Sequence, residues 1–406
     1  MTADLAPDVV NAPFDPWDES HRSDPKQLYK EMREEAPVYR GVGPETRRSF
    51  WFLTRHRDVV AALRDPQLGR EWRRLPEGVR EQHDFDEPEE MEMVNRHVLN
   101  LDPPDHTRLR RLVSHAFTTK RIQELEPRII DLTSSLLDGF GDGDDLVERI
   151  AVPVPVTVIA ELLGVPIGDQ LQFRALVDRL LRPVSEEDAT NAGLEFIGYM
   201  NDGIEQKREA PGDDLLSALI HLEDEGDTLD HSELLSMVQL LLIAGHETTV
   251  NLIGNGMVEL MRHPDQRLRL LQNRELLPSA IEEMLRFNGP VETSFPRLAY
   301  EDMEISGVEI PQGDLVVPVL MSANNDPEAF SDPETFDIAR QPNRHVAFGS
   351  GIHYCLGAPL ARLEATTVIG AVLDRWPGID FAGDPSDLEW SPGFFLRGVR
   401  RLPVSI

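Results

Sequence analysis

Cysteine is nearly absent from this chain: Cys355 is the only one in 406 residues. One thiol closes no internal disulfide, and it is too few sulfurs for a CxxC redox pair or a structural zinc site. Three roles remain open to it: an inert buried side chain, a nucleophile, or one ligand of a metal whose other ligands are not protein sulfur. Long apolar runs are absent too. Nowhere do about 18 apolar residues follow one another, as a membrane span requires. The opening MTADLAPDVVNAPFDPW has acids and prolines where an export signal carries a basic end and an apolar stretch, so a cytoplasmic chain is expected. Positive charge is scarce: 40 Lys and Arg stand against 72 Asp and Glu, a formal net charge of −32. Such a surface repels nucleic acid and anionic membrane. The acid clusters at 84–92, 142–145 and 223–227 lack the ordered ligand spacing of a calcium loop and read as solvated loop faces. Internal repeats and low-complexity linkers are missing as well.

What is present is mostly helical periodicity. Apolar residues recur at three- and four-residue spacing through 107–117, 124–140, 170–181, 194–207 and 232–262. Strand signals lie toward the ends, at 38–40 and 50–54, and again at 303–320, where breaks at SG and QGD separate β-rich runs. Residues 324–348 have several prolines and little periodicity, which predicts an ordered meander. The expected architecture is mainly α with small β-sheets. It forms one domain over 1–406, with a helical core at about 100–288 and 345–376 and β-rich parts at about 38–54 and 290–320.

The lone cysteine sits in FGSGIHYCLG, 348–357, and helical periodicity follows it from 356 to 375, with Pro359 in the first turn. A thiol at a helix N-terminus faces free backbone N–H groups and the positive end of the helix dipole, which favour a thiolate. Gly349 and Gly351 let the loop turn back, and Gly357 leaves room for something flat to lie close. The pattern Phe348-Gly349-x-Gly351-x-His353-x-Cys355-x-Gly357 resembles the haem-binding loop of the cytochrome P450 family. The resemblance runs over nearly the whole chain. It implies the cytochrome P450 fold, haem b (iron protoporphyrin IX) as cofactor, and Cys355 as the axial thiolate of its iron, a ligand that favours cleavage of an O–O bond.

Three further constellations fit that likeness. LLIAGHETTVN, 241–251, lies mid-helix, and Leu241, Ala244, Gly245 and Thr248 share one face. A carboxylate such as Glu247 is costly within so apolar a stretch unless it is paired or functional. By resemblance, Ala244 and Gly245 lie over the oxygen side of the haem, Thr248 orients a water and Glu247 relays protons; His246 reads as a packed or surface-facing side chain. Glu283 and Arg286 form an ExxR pair on one helix face. The family joins that pair to an arginine matching Arg340, followed here by Asn343 and His345, in a network that holds the meander and the haem loop. In DPPDHTRLRR, 102–111, His106 and Arg110 are four apart and can reach one anion. The family holds a haem propionate with the equivalent residues and with those matching Arg297 and His353. One departure is Asn325, where many relatives carry arginine, which puts a local salt bridge in doubt.

The resemblance implies a monooxygenase acting on a small apolar or amphipathic substrate with O2. Electrons come from a ferredoxin and ferredoxin reductase that dock on a basic island of Arg108, Arg111, Arg344 and Arg362, and the enzyme is a monomer. Pocket walls are expected from Leu241, Val291, Thr293, Phe295 and Phe394, with Phe395 beside the last, and a lid from 71–101 and 175–199. Two rival readings keep the thiolate. A peroxygenase would take hydrogen peroxide directly and need no proton relay, and a haem-based gas or redox sensor would need the thiolate but not the relay. A cysteine hydrolase would instead require a histidine brought against Cys355.

Overall fold

The computed structural model describes residues 14–43, 48–82, 96–166, 169–181, 185–222 and 227–406. Helix α1, Pro25–Glu35, opens on Asp24, whose carboxylate accepts from the Lys26 amide, and has proline at its first position, where a missing N–H costs nothing. Strands β1, Val38–Val42, and β2, Ser49–Leu53, pair antiparallel, and the two-residue strand β3 is Leu68–Gly69. The helical body follows: α2 Asp105–Ala116, α3 Glu126–Asp138, α4 Pro153–Leu162, α5 Gln170–Leu181, α6 Glu186–Glu209, α7 His231–Arg262 and α8 Leu277–Asn288. Then come β4 Arg297–Ala299, β5 Met303–Ile305, β6 Val308–Ile310, β7 Leu315–Pro318 and the long helix α9, Ala358–Arg375.

Helix α7 positions everything else. Asp230 and Glu233 form a reciprocal capping box at its start, and Pro264 follows the residue that ends it. Its 32 residues make it roughly 48 Å long at 1.5 Å per residue. Side chains from Thr249 through Met261 are all buried, against α4, α8 and α9. Helix α9 packs in turn on α3 and α8, so the main apolar cluster runs through all of these helices. Each fully buried leucine in it, such as Leu109 of α2 or Leu242 of α7, contributes roughly 1.5–3 kcal/mol.

The five-stranded sheet has the order β1-β2-β7-β4-β3, joining a hairpin from the start of the chain to strands nearly 250 residues later. Only β2 and β7 are parallel, with Phe52 opposite Val317. Both breaks expected in 303–320 are turns: Ser306 and Gly307 have φ of 50° and 84° between β5 and β6, and Gly313, φ 90°, precedes β7. Residues 325–348 contain no helix or strand, as a meander should. At β3, Gly69 is required by contact, because a Cβ there would stand 2.2 Å from the Tyr300 ring.

Candidate active site

Cys355 lies three residues ahead of α9, in a loop closed by its own backbone. The Cys355 amide donates to the Phe348 carbonyl at 3.0 Å, and the Gly349 amide to Val346 at 2.8 Å. Gly349 and Gly351 have φ of 72° and 73°, and a Cβ on Gly351 would meet the Leu63 carbonyl at 2.5 Å. The loop is thus pressed against the segment that precedes β3. Gly357 is the N-cap of α9, and a Cβ there would sit 3.9 Å from the Cys355 sulfur, so that side stays open. Phe348 is half-buried, with the Arg362 guanidinium 4.5 Å over its ring.

The thiol itself departs from expectation. Burial pushes it up, and this outweighs the Gly357 and Ala358 amides and the Arg110 and Arg362 guanidiniums that draw it down. A helix N-terminus alone therefore does not make Cys355 a thiolate. A bound cation in contact with the sulfur would complete what the amides begin.

Around the loop lies a set of buried polar groups without partners. The His106 and His353 rings meet edge to face at 4.6 Å. Neither ring nitrogen of His106, nor Nε2 of His353, nor Nε of Arg297 makes a hydrogen bond among the described residues. Burial pushes His353 down to about 3, helped by Arg297 and by His106, and lowers His106, helped by Arg110, so both rings are neutral. Burial also lowers Arg297, whose Nη1 is held by the Leu68 carbonyl at 3.0 Å. Arg110 is half-buried and donates to the Tyr354 carbonyl at 2.8 Å, which ties α2 to the cysteine loop. Buried polar atoms left unpaired cost about 1–3 kcal/mol each, and the N–H donors among these, at most one on each neutral ring and one on Arg297, suit an anionic acceptor.

Sequence reasoning missed Asp102, Arg70 and Tyr300, which build this corner. Asp102 accepts from the Arg70 amide at 2.8 Å, the Glu71 amide at 3.0 Å and the Tyr300 hydroxyl. Arg70 ties two segments to its own, donating to Leu99 O at 3.0 Å and Asn100 Oδ1 at 3.1 Å in one and Pro296 O at 2.8 Å in the other. A signal existed for Asp102 alone, as the acid ahead of two prolines and a helix.

Helix α7 opens in mid-course. Ala244 is exposed and Leu241, Gly245, Glu247 and Thr248 are half-buried, although the helix is sealed beyond them. His246 is packed, with Nδ1 3.2 Å from the Leu242 carbonyl. The Gly245 Cα faces Ile159 of α4, which a Cβ would meet at 3.4 Å, so its small size also serves helix packing. The Thr248 hydroxyl donates to the Ala244 carbonyl at 2.9 Å, the ordinary back-bond of a helical threonine, and keeps its oxygen as an acceptor.

Glu283 and Arg286 are both fully buried and pair at 2.7 and 2.8 Å. Arg340 reaches the same carboxylate at 3.1 Å, joined by Asn343 at 3.2 Å and the Asp337 amide at 3.0 Å. His345 instead meets Glu282 at 3.0 Å, and Arg362 grips Glu282 with two bonds. Asn325 is buried; its Nδ2 donates to Met321 O at 2.9 Å and its Oδ1 has no partner among the described residues.

The Phe394 ring packs 5.5 Å from Trp17 and 5.7 Å from Phe52, in an aromatic cluster under the sheet. The Phe395 ring lies 4.3 Å from that of Phe295, which is 38% exposed. Val291 is half-buried and Thr293 buried, its hydroxyl on the Phe394 carbonyl at 3.2 Å. Two of the four arginines of the expected basic island are held in ion pairs. Arg108 is paired with Glu233 and, at 3.2 Å, with Asp227, and Arg362 with Glu282 at 2.6 Å; Arg344 is exposed. Arg111 has a buried Nε. Much of the expected lid, at 83–95 and 182–184, and the acids at 84–92 and 223–226 lie outside the described residues.

A thiol at the head of a helix stands beside a group of unpaired buried polar atoms that suit an anion, and α7 is locally open at 241–248. The profile of the family described as Cytochrome P450 matches residues 156–378. Cytochrome P450 107B1 of Saccharopolyspora erythraea is 42% identical over all of this chain and 99% of its own, and the cytochrome P450 monooxygenase PikC of Streptomyces venezuelae is 42% identical over 94% of this chain and 91% of its own. The solved structure of the bacillaene polyketide synthase cytochrome P450 PksS of Bacillus subtilis 168 superposes with a TM-score of 0.90 and 38% identity, over 97% of this chain and 99% of that one. The chain belongs to the cytochrome P450 family. Its activity is that of a cytochrome P450 monooxygenase, an oxidoreductase of the haem-dependent kind. Among the described residues no helix is long and apolar enough to cross a membrane.

Proposed function

We propose a haem b monooxygenase, one unit over 1–406, that places one atom of dioxygen in an apolar or amphipathic polyketide-class molecule. Electrons come from a ferredoxin and its reductase in the cytoplasm. The observation that carries this reading is the cluster of unpaired buried groups on His106, His353 and Arg297 beside the Cys355 loop. Such a cluster fits the propionates of a haem whose iron is bound by the Cys355 sulfur. When bound, the haem supplies the activation of dioxygen, and a thiolate ligand favours O–O cleavage.

The remaining work falls to this chain's side chains. Arg110, Arg297, His106 and His353 hold the carboxylates, while Phe348, Gly349 and Gly357 frame the sulfur side. Ala244 and Gly245 leave space on the other face. The Thr248 oxygen accepts from a water and so fixes it at the helix edge, and Glu247 hands protons to that water from solvent. Leu241, Val291, Phe295 and Phe395 wall the substrate. A polyketide is favoured by the name borne by PksS, and the separate electron carrier by arithmetic: one cysteine cannot hold an iron–sulfur cluster.

The test compares product formed per reductant consumed, with ferredoxin and reductase supplied, in the parent protein and in Thr248→Ala. The variant should consume reductant at a similar rate and form less product. An unchanged ratio, or turnover by the parent protein with hydrogen peroxide alone that matches the reductant-driven rate, would favour the peroxygenase instead.

A further inference from the structure

Lysine is rare in this chain, with four residues at 26, 30, 120 and 207. Three sit against carboxylates: Lys30 on Glu334 at 2.6 Å, Lys120 on Glu124 at 3.7 Å and Lys207 on Asp214 at 2.6 Å. Among the described residues Lys26 alone has no such pair. Its Nζ stands over the Phe287 ring, 3.3 Å from the centroid. A ring face compensates an ammonium only partly, worth about 0.5–2 kcal/mol.

Lys26 is half-buried in the first turn of α1 and opens on a cleft of about 520 Å³ between α1, the ends of α7 and α8, and the C-terminal loop. The charged groups that face its amine are Glu259 of α7, Arg397 of the C-terminal loop, Asp24 at the cap of its own helix, Arg286 of α8 and Glu334 of the meander. Burial dominates and pushes the amine down to about 8; Glu259 and Asp24 oppose the shift, and Arg397 and Arg286 add to it. The same cleft is lined by Arg33 and Arg397. Both place their hydrogen bonds on neutral oxygens, Arg33 on Ser322 at 2.8 Å and Arg397 on Asn288 at 2.8 Å and the Arg22 carbonyl at 2.7 Å. Neither forms an ion pair among the described residues, so the cleft carries surplus positive charge within an acidic protein.

We infer that Lys26 is an acylation site, taking an acyl group from a donor that carries a phosphate, with Arg33 and Arg397 drawing the phosphate in. The amine lone pair forms a bond to the acyl carbon. The bond from that carbon to the phosphate oxygen breaks, phosphate departs with the electron pair, and the surplus amine proton passes to solvent. No oxidant or reductant is needed. The inference does not rest on the haem reading, and its readout is not enzyme activity.

The experiment incubates the purified, haem-loaded protein at pH 8 with acetyl phosphate, and in parallel with an uncharged acetyl ester. Acetylation at each lysine is followed by mass spectrometry. At that pH a far larger share of Lys26 than of an ordinary lysine is neutral, while its weaker basicity slows attack, so Lys26 should react about tenfold faster than Lys120 with either reagent. The preference should be larger with acetyl phosphate, and inorganic phosphate should reduce it for that reagent only. Lys26→Arg should abolish the signal at position 26 and leave the other three sites as they were. Reaction at Lys26 no faster than at Lys120 overturns the inference. Equal preference with both reagents, insensitive to phosphate, overturns the phosphate-bearing donor.

Discussion

Glu282 shows what single side chains contribute to this site. Burial by itself would raise its carboxyl, but Arg362 and His345 outweigh that and hold it down to about 2. A folded value below the unfolded one adds stability that is present above about pH 4.5 and is lost as the pH falls toward 2. Glu282→Gln should therefore lower the melting temperature at pH 7, with the gap to the parent protein closing across that window in thermal melts. A gap independent of pH would mean that the two partners do not bind the charge. At this same scale the sequence was readable wherever a residue type is forced by chemistry, as for Cys355, the i, i+4 pair His106 and Arg110, and the ExxR. It was unreadable where a choice between neighbours depends on a distant partner. Phe394 and Phe395 are adjacent aromatics, and only the structure shows that Phe394 is the one that packs on Trp17, far away along the chain. Glu292 lies between two expected wall residues, yet it is fully buried on Arg22 at 2.5 Å and Tyr29 at 3.0 Å.

Between elements, one carboxylate joins α8 to the meander. Glu283 binds Arg286 of its own helix and Arg340, Asn343 and the Asp337 amide of the segment leading to the cysteine loop. Glu283→Gln keeps the shape and removes the charge, leaving two guanidiniums uncompensated in a dry interior, at a cost of about 3–5 kcal/mol. The expected result is a lower haem-to-protein ratio on purification, with helix content by circular dichroism largely kept. Full haem loading would release the network from the role assigned to it. Elements with strong end signals were legible. The capping box and Pro264 delimit α7, and α5 spans the expected 170–181. Helix α6 begins eight residues before the expected 194, because Ser185 caps it upstream of the apolar periodicity. Helix α4 was missed: Pro153 and Pro155 look like breakers, but both fall in a first turn, where prolines are tolerated.

The whole molecule carries its charge unevenly, with −32 overall and cations gathered into ion pairs. Of the arginines expected to greet an acidic carrier, Arg108 and Arg362 are already paired, which leaves exposed Arg344 as the one to test. Arg344→Glu should raise the ferredoxin concentration needed for half-maximal turnover several-fold, and added salt should narrow the difference by screening. No change would move the docking face elsewhere. Fold class was legible at this scale from helical periodicity flanked by short β-rich runs. The sheet order was not, since β2 and β7 pair across more than 250 residues without a local signal. The central claim is that the sulfur of Cys355 binds haem iron, and the optical spectrum of the reduced protein under carbon monoxide tests it most directly. A Soret band at the long wavelength typical of thiolate-ligated haem, lost in Cys355→Ala, is the expected result. A band at the position of imidazole-ligated haem in correctly folded parent protein, or one that survives in the variant, would contradict it.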